Sequence, residues 1–258
     1  RGGGAGLRNG VNYLSCDLSL KGFTSCFPAK IDTIVHLAQS NNYRDFPEQA
    51  SDIYSVNVSS TQELLEWSRC NSVKKFILAS SGNVYERSSM PLSEESPCFP
   101  MDFYGRTKLM AELMAESYKD FFTVRIARIF GVYGSGQAGM LVSNIIERVK
   151  NNEQVTLGQN IGLEFTPLYI DDCVNMIHKV LINEGKHTIY NLCGSEKVSL
   201  ISLAEEIGLA VNIKPKFEIN QTTPIRLIGD NSRFITEFIY DIQNNLKAGI
   251  NKTVNTNQ

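Results

Sequence analysis

Two apolar runs, "KFILAS" at 75–80 and "FTVRIARIF" at 122–130, bracket a long helix-patterned segment, and this arrangement constrains the fold more than anything else in the chain. Each run is apolar almost throughout and rich in branched residues, as expected of a strand buried on both faces. Between them, "YGRTKLMAELMAESYKDF" places Leu109, Leu113 and Met114 at helical spacing. Upstream, "VNYL" (11–14) and "DTIVHLA" (32–38) also read as buried strands, and "SDIYSVNVSSTQELLEWSRC" sets Ile53, Val56, Leu64 and Trp67 at helical spacing. Strands and helices in alternation predict an α/β fold, a doubly wound parallel sheet with helices on both faces.

After Lys150 the pattern loosens into short strands ("QVTL", "PLYI", "TIYNLC") and helices ("DDCVNMIHKVLIN", "SLISLAEEIGLA"), which suggests a smaller C-terminal lobe. The opening "RGGGAGLRNG" precedes the first strand, whereas a phosphate-binding loop follows a strand and opens a helix, so these glycines are expected to be linker. The Asn/Thr-rich end "INKTVNTNQ" is expected to fray. A formal charge of -2 gives no electrostatic case for nucleic acid or anionic membrane. No apolar run approaches the roughly 20 residues of a bilayer span. Six scattered cysteines without a C-x-x-C, and three distant histidines, point to reduced thiols in a cytoplasmic protein and to no metal site.

Gly134, Gly136 and Gly139 spell G-x-G-x-x-G between a strand pattern and a helix pattern, the context of a dinucleotide loop. The rest of the chemistry lies elsewhere. Tyr104 and Lys108 stand at i and i+4, on one face of a helix. A nearby ammonium favours phenolate and lowers a tyrosine's pKa, so this pair can exchange a proton with a substrate hydroxyl or carbonyl. The strand at 75–80 ends in Ser80-Ser81-Gly82, whose hydroxyls emerge at the carboxyl edge of the sheet, where open α/β sheets bind ligands.

A strand ending in a serine pair, then Y-x-x-x-K on a helix, then "VRIARIFGVYG", resembles the extended short-chain dehydrogenase/reductase family of nucleotide-sugar epimerases and dehydratases. "CDL" at 16–18 is similar to its G-D-L, "VHLAQ" at 35–39 to its H-L-A-A strand end, and "SSGNVYE" to S-S-x-x-V-Y-G. Asn57 in "VNVSS" matches a helix asparagine, and "IARIFGVYGSG" resembles R-x-x-N-V-Y-G-P-G, with Gly131 in place of the substrate-contacting asparagine. "PLYIDDCV" and "YNLCGSEKVSLISLAEEI" match the second half of the fold, and Arg233 after "GDNS" a late D-x-S-K/R segment. Glu164 lies near where the family often has a diphosphate-holding arginine.

The resemblance implies a Rossmann-like cofactor domain over 1–132, to which 167–194 returns, and a substrate-binding lobe from 133–166 and 195–258. The family's first strand, glycine-rich turn, first helix and second strand have no counterpart, so the chain resembles an amino-terminally truncated member with an uncovered sheet edge. "VNYL" then corresponds to the third strand, and Gly134 to Gly139 form a wall of the substrate cleft. The implied catalytic set is Tyr104, Lys108 and Ser81. Asp17, Leu18, Leu37, Ala38, Asn57, Ser80, Tyr104 and Lys108 are implied to contact NAD or NADP, with NAD favoured; Ser81, Gly82, Asn83, Gly131 and Arg233 are implied to contact the substrate. The activity implied is that of an NAD(P)-dependent epimerase/dehydratase or oxidoreductase acting on a sugar-like, possibly nucleotide-sugar, alcohol or ketone. Its rival is a catalytically inactive binding or dimerisation module; a flavin or metal enzyme is the remaining class. The helices at about 51–70 and 104–118 are implied to pair two copies as a homodimer.

Overall fold

The structure, a computed structural model, describes residues 5–255, so residues 1–4 of the expected linker and 256–258 of the expected frayed end lie outside the described residues. The chain divides into two compact units, 1–84 with 98–126 and 85–97 with 127–258.

The first unit opens with a hairpin of β1 (Ala5–Arg8) and β2 (Val11–Leu14), antiparallel with Arg8 opposite Val11. Asn9 and Gly10 both have positive φ, as a two-residue type I′ turn requires. This corrects two expectations. Residues 5–8 are strand rather than linker, and "VNYL" is exposed along its whole length, with Val11 and Tyr13 each 53% exposed. Its branched residues reflect pairing in a hairpin, which a buried parallel strand would share.

The parallel sheet follows the expected pattern. It includes β3 (Thr33–His36), β4 (Lys75–Ser81) and β5 (Thr123–Ile129), with β4 between β3 and β5 and β3 an end strand among the described residues. Register pairs Thr33 with Lys75 and His36 with Leu78. Phe76, Ile77 and Leu78 are buried, as a strand covered on both faces needs. The connection from β3 to β4 runs through α1 (Ala50–Tyr54), a π-helical turn (Ser55–Ser59) and α2 (Ser60–Cys70). α3 (Phe103–Glu116) joins β4 to β5, and Asp102 caps it by accepting from Gly105 N at 2.6 Å. Leu37, just beyond β3, is 55% exposed, so apolar surface is present beside this end strand.

The second unit contains β6 (Val132–Tyr133), α4 (Leu141–Lys150), β7 (Gln154–Gly158), β8 (Glu164–Phe165), β9 (Leu168–Tyr169), α5 (Ile170–Ile182), β10 (Ile189–Leu192), β11 (Val198–Ser199), α6 (Leu200–Val211), β12 (Lys216–Asn220), β13 (Arg226–Leu227), α7 (Ser232–Phe238) and α8 (Leu246–Asn255). β7 pairs in parallel with β12, and β8 lies between β11 and β13. Ile145, Val149, Leu157, Phe165, Leu203 and Ile207 build its core together with Ile250 and Val254. Those last two belong to α8, so the chain end expected to fray is a packed helix through Asn255, its apolar residues at i and i+4 seating it on the core. Among the described residues no helix is long and apolar enough to cross a membrane.

Candidate active site

The site of the first unit grows from the α3 ladder. Tyr104, Lys108 and Glu112 succeed one another at four-residue steps, so all three meet the carboxyl end of β4. Lys108 is 3% exposed, and its Nζ donates to the Ala79 carbonyl at 2.9 Å. Glu112, buried one turn further on, accepts a hydrogen bond from Ser80 Oγ. Ser80 is therefore engaged behind the site, while Ser81 lies at the strand end, where its Oγ accepts from Asn83 N at 3.2 Å. Gly82 is buried in the turn that follows β4. Gly105 allows the close approach of helix and turn, since a Cβ there would lie 2.4 Å from the Asn83 carbonyl oxygen.

Tyr104 donates its hydroxyl proton to Gln39 Oε1 at 2.8 Å, and its ring packs 5.1 Å from that of Tyr43. Burial pushes the phenol well above its ordinary pKa, the Ser81 hydroxyl pulling it back. The lowering expected from Lys108 is not the net direction. Its ammonium is bonded to Ala79 and lies 5.9 Å from the centre of the Tyr104 ring, too far to offset desolvation of the hydroxyl. Burial pushes Lys108 itself down to about 8, with Glu112 acting in the opposite sense.

A cavity of about 680 Å³ opens beside these groups. Asp17, Leu18 and Ala38 line it, three of the residues expected to contact a cofactor, together with Cys16, Gln39, Ser40, Asn42 and Asp52. Asn57 stands behind the wall on the π-helical turn, accepting from Ser40 N and donating to Thr107 Oγ1, each at 3.0 Å. Asn57 thus ties the cavity wall at Ser40 to α3 at Thr107 from a π-helical turn, an irregularity frequent at functional sites. Leu37 faces solvent, and no polar contact of its side chain is part of this arrangement. The volume is that of a small-molecule site, and its wall carries both hydrogen-bond donors and acceptors.

Two expected substrate residues belong to the second unit. Gly131 has φ +49°, and a Cβ there would lie 2.8 Å from Phe165 Cδ2, so a side chain at the position that carries asparagine in the resembling family would require the Phe165 ring to shift. Arg233 is tied to Glu94 (3.6 Å), to Glu95 and to the Ile189 carbonyl (3.3 Å). Glu164 pairs with Lys197 at 3.1 Å and Arg226 at 2.6 Å, and these two cations lower its carboxyl pKa. Gly136 and Gly139 sit at φ +78° and +70° in the turn before α4. Sequence reasoning missed Gln39, Tyr43 and Glu112; only Glu112 left a signal, as the next step of the 104–108 spacing.

His36 ends β3 beneath the site, 5% exposed. Burial, then the Lys108 charge, pushes it down from 6.5 to about 4. Between those values the unfolded chain binds a proton that the folded chain refuses, so stability falls as pH drops through this window. The expected loss is about 3 kcal/mol at most. Urea unfolding at pH 6.5 and 4 measures it, and His36→Leu should flatten that part of the slope.

Comparison with known proteins finds a family model, described as NAD dependent epimerase/dehydratase family, that matches residues 5–193. An uncharacterized UDP-glucose epimerase, YtcB of Bacillus subtilis (strain 168), is 34% identical over 192 residues, covering 69% of this chain and 59% of that protein. The dTDP-4-dehydro-6-deoxyglucose reductase of Escherichia coli is 27% identical over 199 residues, covering 71% of this chain and 60% of that protein. The chain thus spans about three fifths of the length of these curated relatives, at 59% and 60%. Among solved structures, UDP-glucuronic acid 4-epimerase from Bacillus cereus, in complex with UDP-glucuronic acid and NAD, superposes with a TM-score of 0.80 at 24% identity over 93% of this chain and 77% of that one. That likeness establishes the Rossmann-like α/β fold.

Proposed function

The chain belongs to the NAD dependent epimerase/dehydratase family, and from that premise we propose that it is an NAD(P)-dependent epimerase/dehydratase or oxidoreductase, NAD favoured, acting on a secondary alcohol or ketone of a nucleotide sugar. The observation that carries this reading is the convergence of Tyr104, Ser81 and buried Lys108 at the carboxyl end of β4, with the Tyr104 hydroxyl bonded to a residue of the 680 Å³ cavity. Asp17, Leu18 and Ala38 would hold the cofactor along that cavity, with Asn57 fixing the wall at Ser40. What NAD supplies when bound is a hydride acceptor for the sugar carbon.

The residues of the chain manage the proton. Tyr104, held neutral by burial, is the general acid that donates to a carbonyl oxygen, and the general base in the reverse direction. Ser81 hydrogen-bonds the same oxygen, and Asn83 N steadies Ser81. Lys108 is fixed by Ala79 with ammonium protons to spare for a ribose hydroxyl, and its charge favours phenolate as the proton leaves. The domain boundaries 1–132 with 167–194, and 133–166 with 195–258, and the substrate roles of Gly82, Asn83, Gly131 and Arg233, are part of this proposal. So is a cytoplasmic location, supported by free cysteines at all six positions.

To test the function, the chain is incubated with NAD and UDP- or dTDP-hexoses, and the anomeric proton signals are followed. A new epimer or keto sugar is expected. A folded chain that binds NAD yet converts none of them would favour the module reading.

A homodimer through α1–α3 is also proposed, supported by Tyr54, Met110 and Leu113, which are 47%, 45% and 57% exposed. Light scattering should then give twice the 28.8 kDa chain mass, and Leu113→Glu should halve it. A monomer in the parent chain would end this part of the account.

A further inference from the structure

We propose that Gln39 is a positioning residue that holds the Tyr104 hydroxyl in its neutral, proton-donating form and adds to the effect of burial; the inference rests on the catalytic reading of Tyr104. Gln39 follows Ala38 beyond β3, is half-buried, and lines the same cavity as Asp17. Its Oε1 takes the Tyr104 hydroxyl proton in a 2.8 Å hydrogen bond from 65 residues away. No role assigned so far uses it.

The physical effect has a definite sign. A phenol donating to a carboxamide oxygen is stabilised as the neutral form, whereas a phenolate in its place would face that oxygen's lone pairs. In the observed orientation, with Oε1 toward the hydroxyl, Gln39 therefore biases Tyr104 against ionisation, and the carboxamide adds no charge of its own at any pH.

The groups facing Tyr104 come from three elements. On its own helix are Lys108, 5.9 Å from the ring centre, and the capping Asp102, whose charge opposes ionisation. The end of β4 brings Ser81, which favours it. The segment after β3 brings Tyr43, with Arg44 stacked 4.9 Å over the Tyr43 ring. Gln39 alone among these accepts the hydroxyl proton in a hydrogen bond of well-defined geometry. A substrate oxygen must replace it as Tyr104's partner before proton transfer, so Gln39 also orients the phenol toward the cavity it lines.

The test places 3,5-difluorotyrosine at position 104 of the whole chain, where fluorine lowers the phenol's pKa into a range the fold survives, and follows its ¹⁹F resonance against pH. Gln39→Ala should move the midpoint down by about one pH unit, the scale of one neutral hydrogen bond. Gln39→Glu, of the same shape, should move it up by a similar amount or more. Midpoints unchanged in both variants, or an upward shift in Gln39→Ala, would overturn the proposal. If Gln39→Ala does not fold, the Gln39→Glu shift decides alone.

This readout needs neither cofactor nor turnover. A failed shift leaves the catalytic reading standing, and a correct shift in a chain without turnover removes that reading alone. In a turning-over chain the same displacement should appear in the limb of the kcat/KM profile that Tyr104 sets, because that profile reports the free enzyme, in which the Gln39 bond is made.

Discussion

Tyr104→Phe is expected to lower turnover of a nucleotide sugar by about 10²- to 10⁴-fold while leaving NADH affinity nearly unchanged, the range typical of losing a positioned acid/base. In barrier terms this is about 3–5 kcal/mol. The ring itself should stay in place, because phenylalanine keeps the packing against Tyr43 at 5.1 Å and the cation contact with Lys108. What disappears is the one hydroxyl that meets both Gln39 and the end of β4. A kcat within a few-fold of the parent would take Tyr104 out of the chemistry and leave Ser81 and Lys108 without a proton donor to serve.

The largest expected stability effect lies in the second unit, at Asp172 near the start of α5. Its carboxylate is 0% exposed and accepts four hydrogen bonds: from Tyr240 Oη at 2.8 Å, Gln243 N at 2.9 Å, Asn244 N at 2.9 Å and Asn244 Nδ2 at 2.8 Å. The amino end of a helix further favours a negative charge there. Asp172→Ala takes a charged acceptor away from four part-buried hydrogen bonds, and losing charge-assisted hydrogen bonds of this kind costs about 3–5 kcal/mol. Urea unfolding of parent and variant reads the difference directly. A loss below about 1 kcal/mol would mean that the 240–244 segment is held by other contacts.

How far the sequence foretold this structure depended on whether a signal was local. β4 was legible because a strand buried on both faces must be apolar, as Phe76 to Leu78 are, and β5 because Val124, Ile126 and Ala127 form a buried apolar run around its two arginines. The 104–108 pair was legible because four-residue spacing is intrinsic to a helix, and the same spacing carries on to Glu112. The hairpin carried a local signal too, Asn9-Gly10, but its branched residues mimic those of a buried strand. In the chain's last residues, Ile250 and Val254 were the readable apolar pair within an Asn/Thr-rich stretch, and packing overrode composition.

The remaining features depend on partners far along the chain. Gln39 meets Tyr104 across 65 positions, and Asp172 meets its donors across 68 to 72. Neither residue differs from a surface glutamine or aspartate until the sheet or the lobe is assembled. The upward pKa of Tyr104 belongs to the same class, since spacing indicates the nearby lysine but not the burial that outweighs it.

The central claim is that the cavity bounded by Asp17, Ala38 and Gln39 holds a nicotinamide dinucleotide against Tyr104 and Lys108, and an NADH fluorescence titration of the purified chain tests it most directly. The account predicts a saturable change in nicotinamide emission that NAD competes away, that weakens in Asp17→Ala and Lys108→Met, and that persists in Tyr104→Phe. A chain folded by circular dichroism that gives no saturable change, or one whose binding ignores both Asp17→Ala and Lys108→Met, would contradict it.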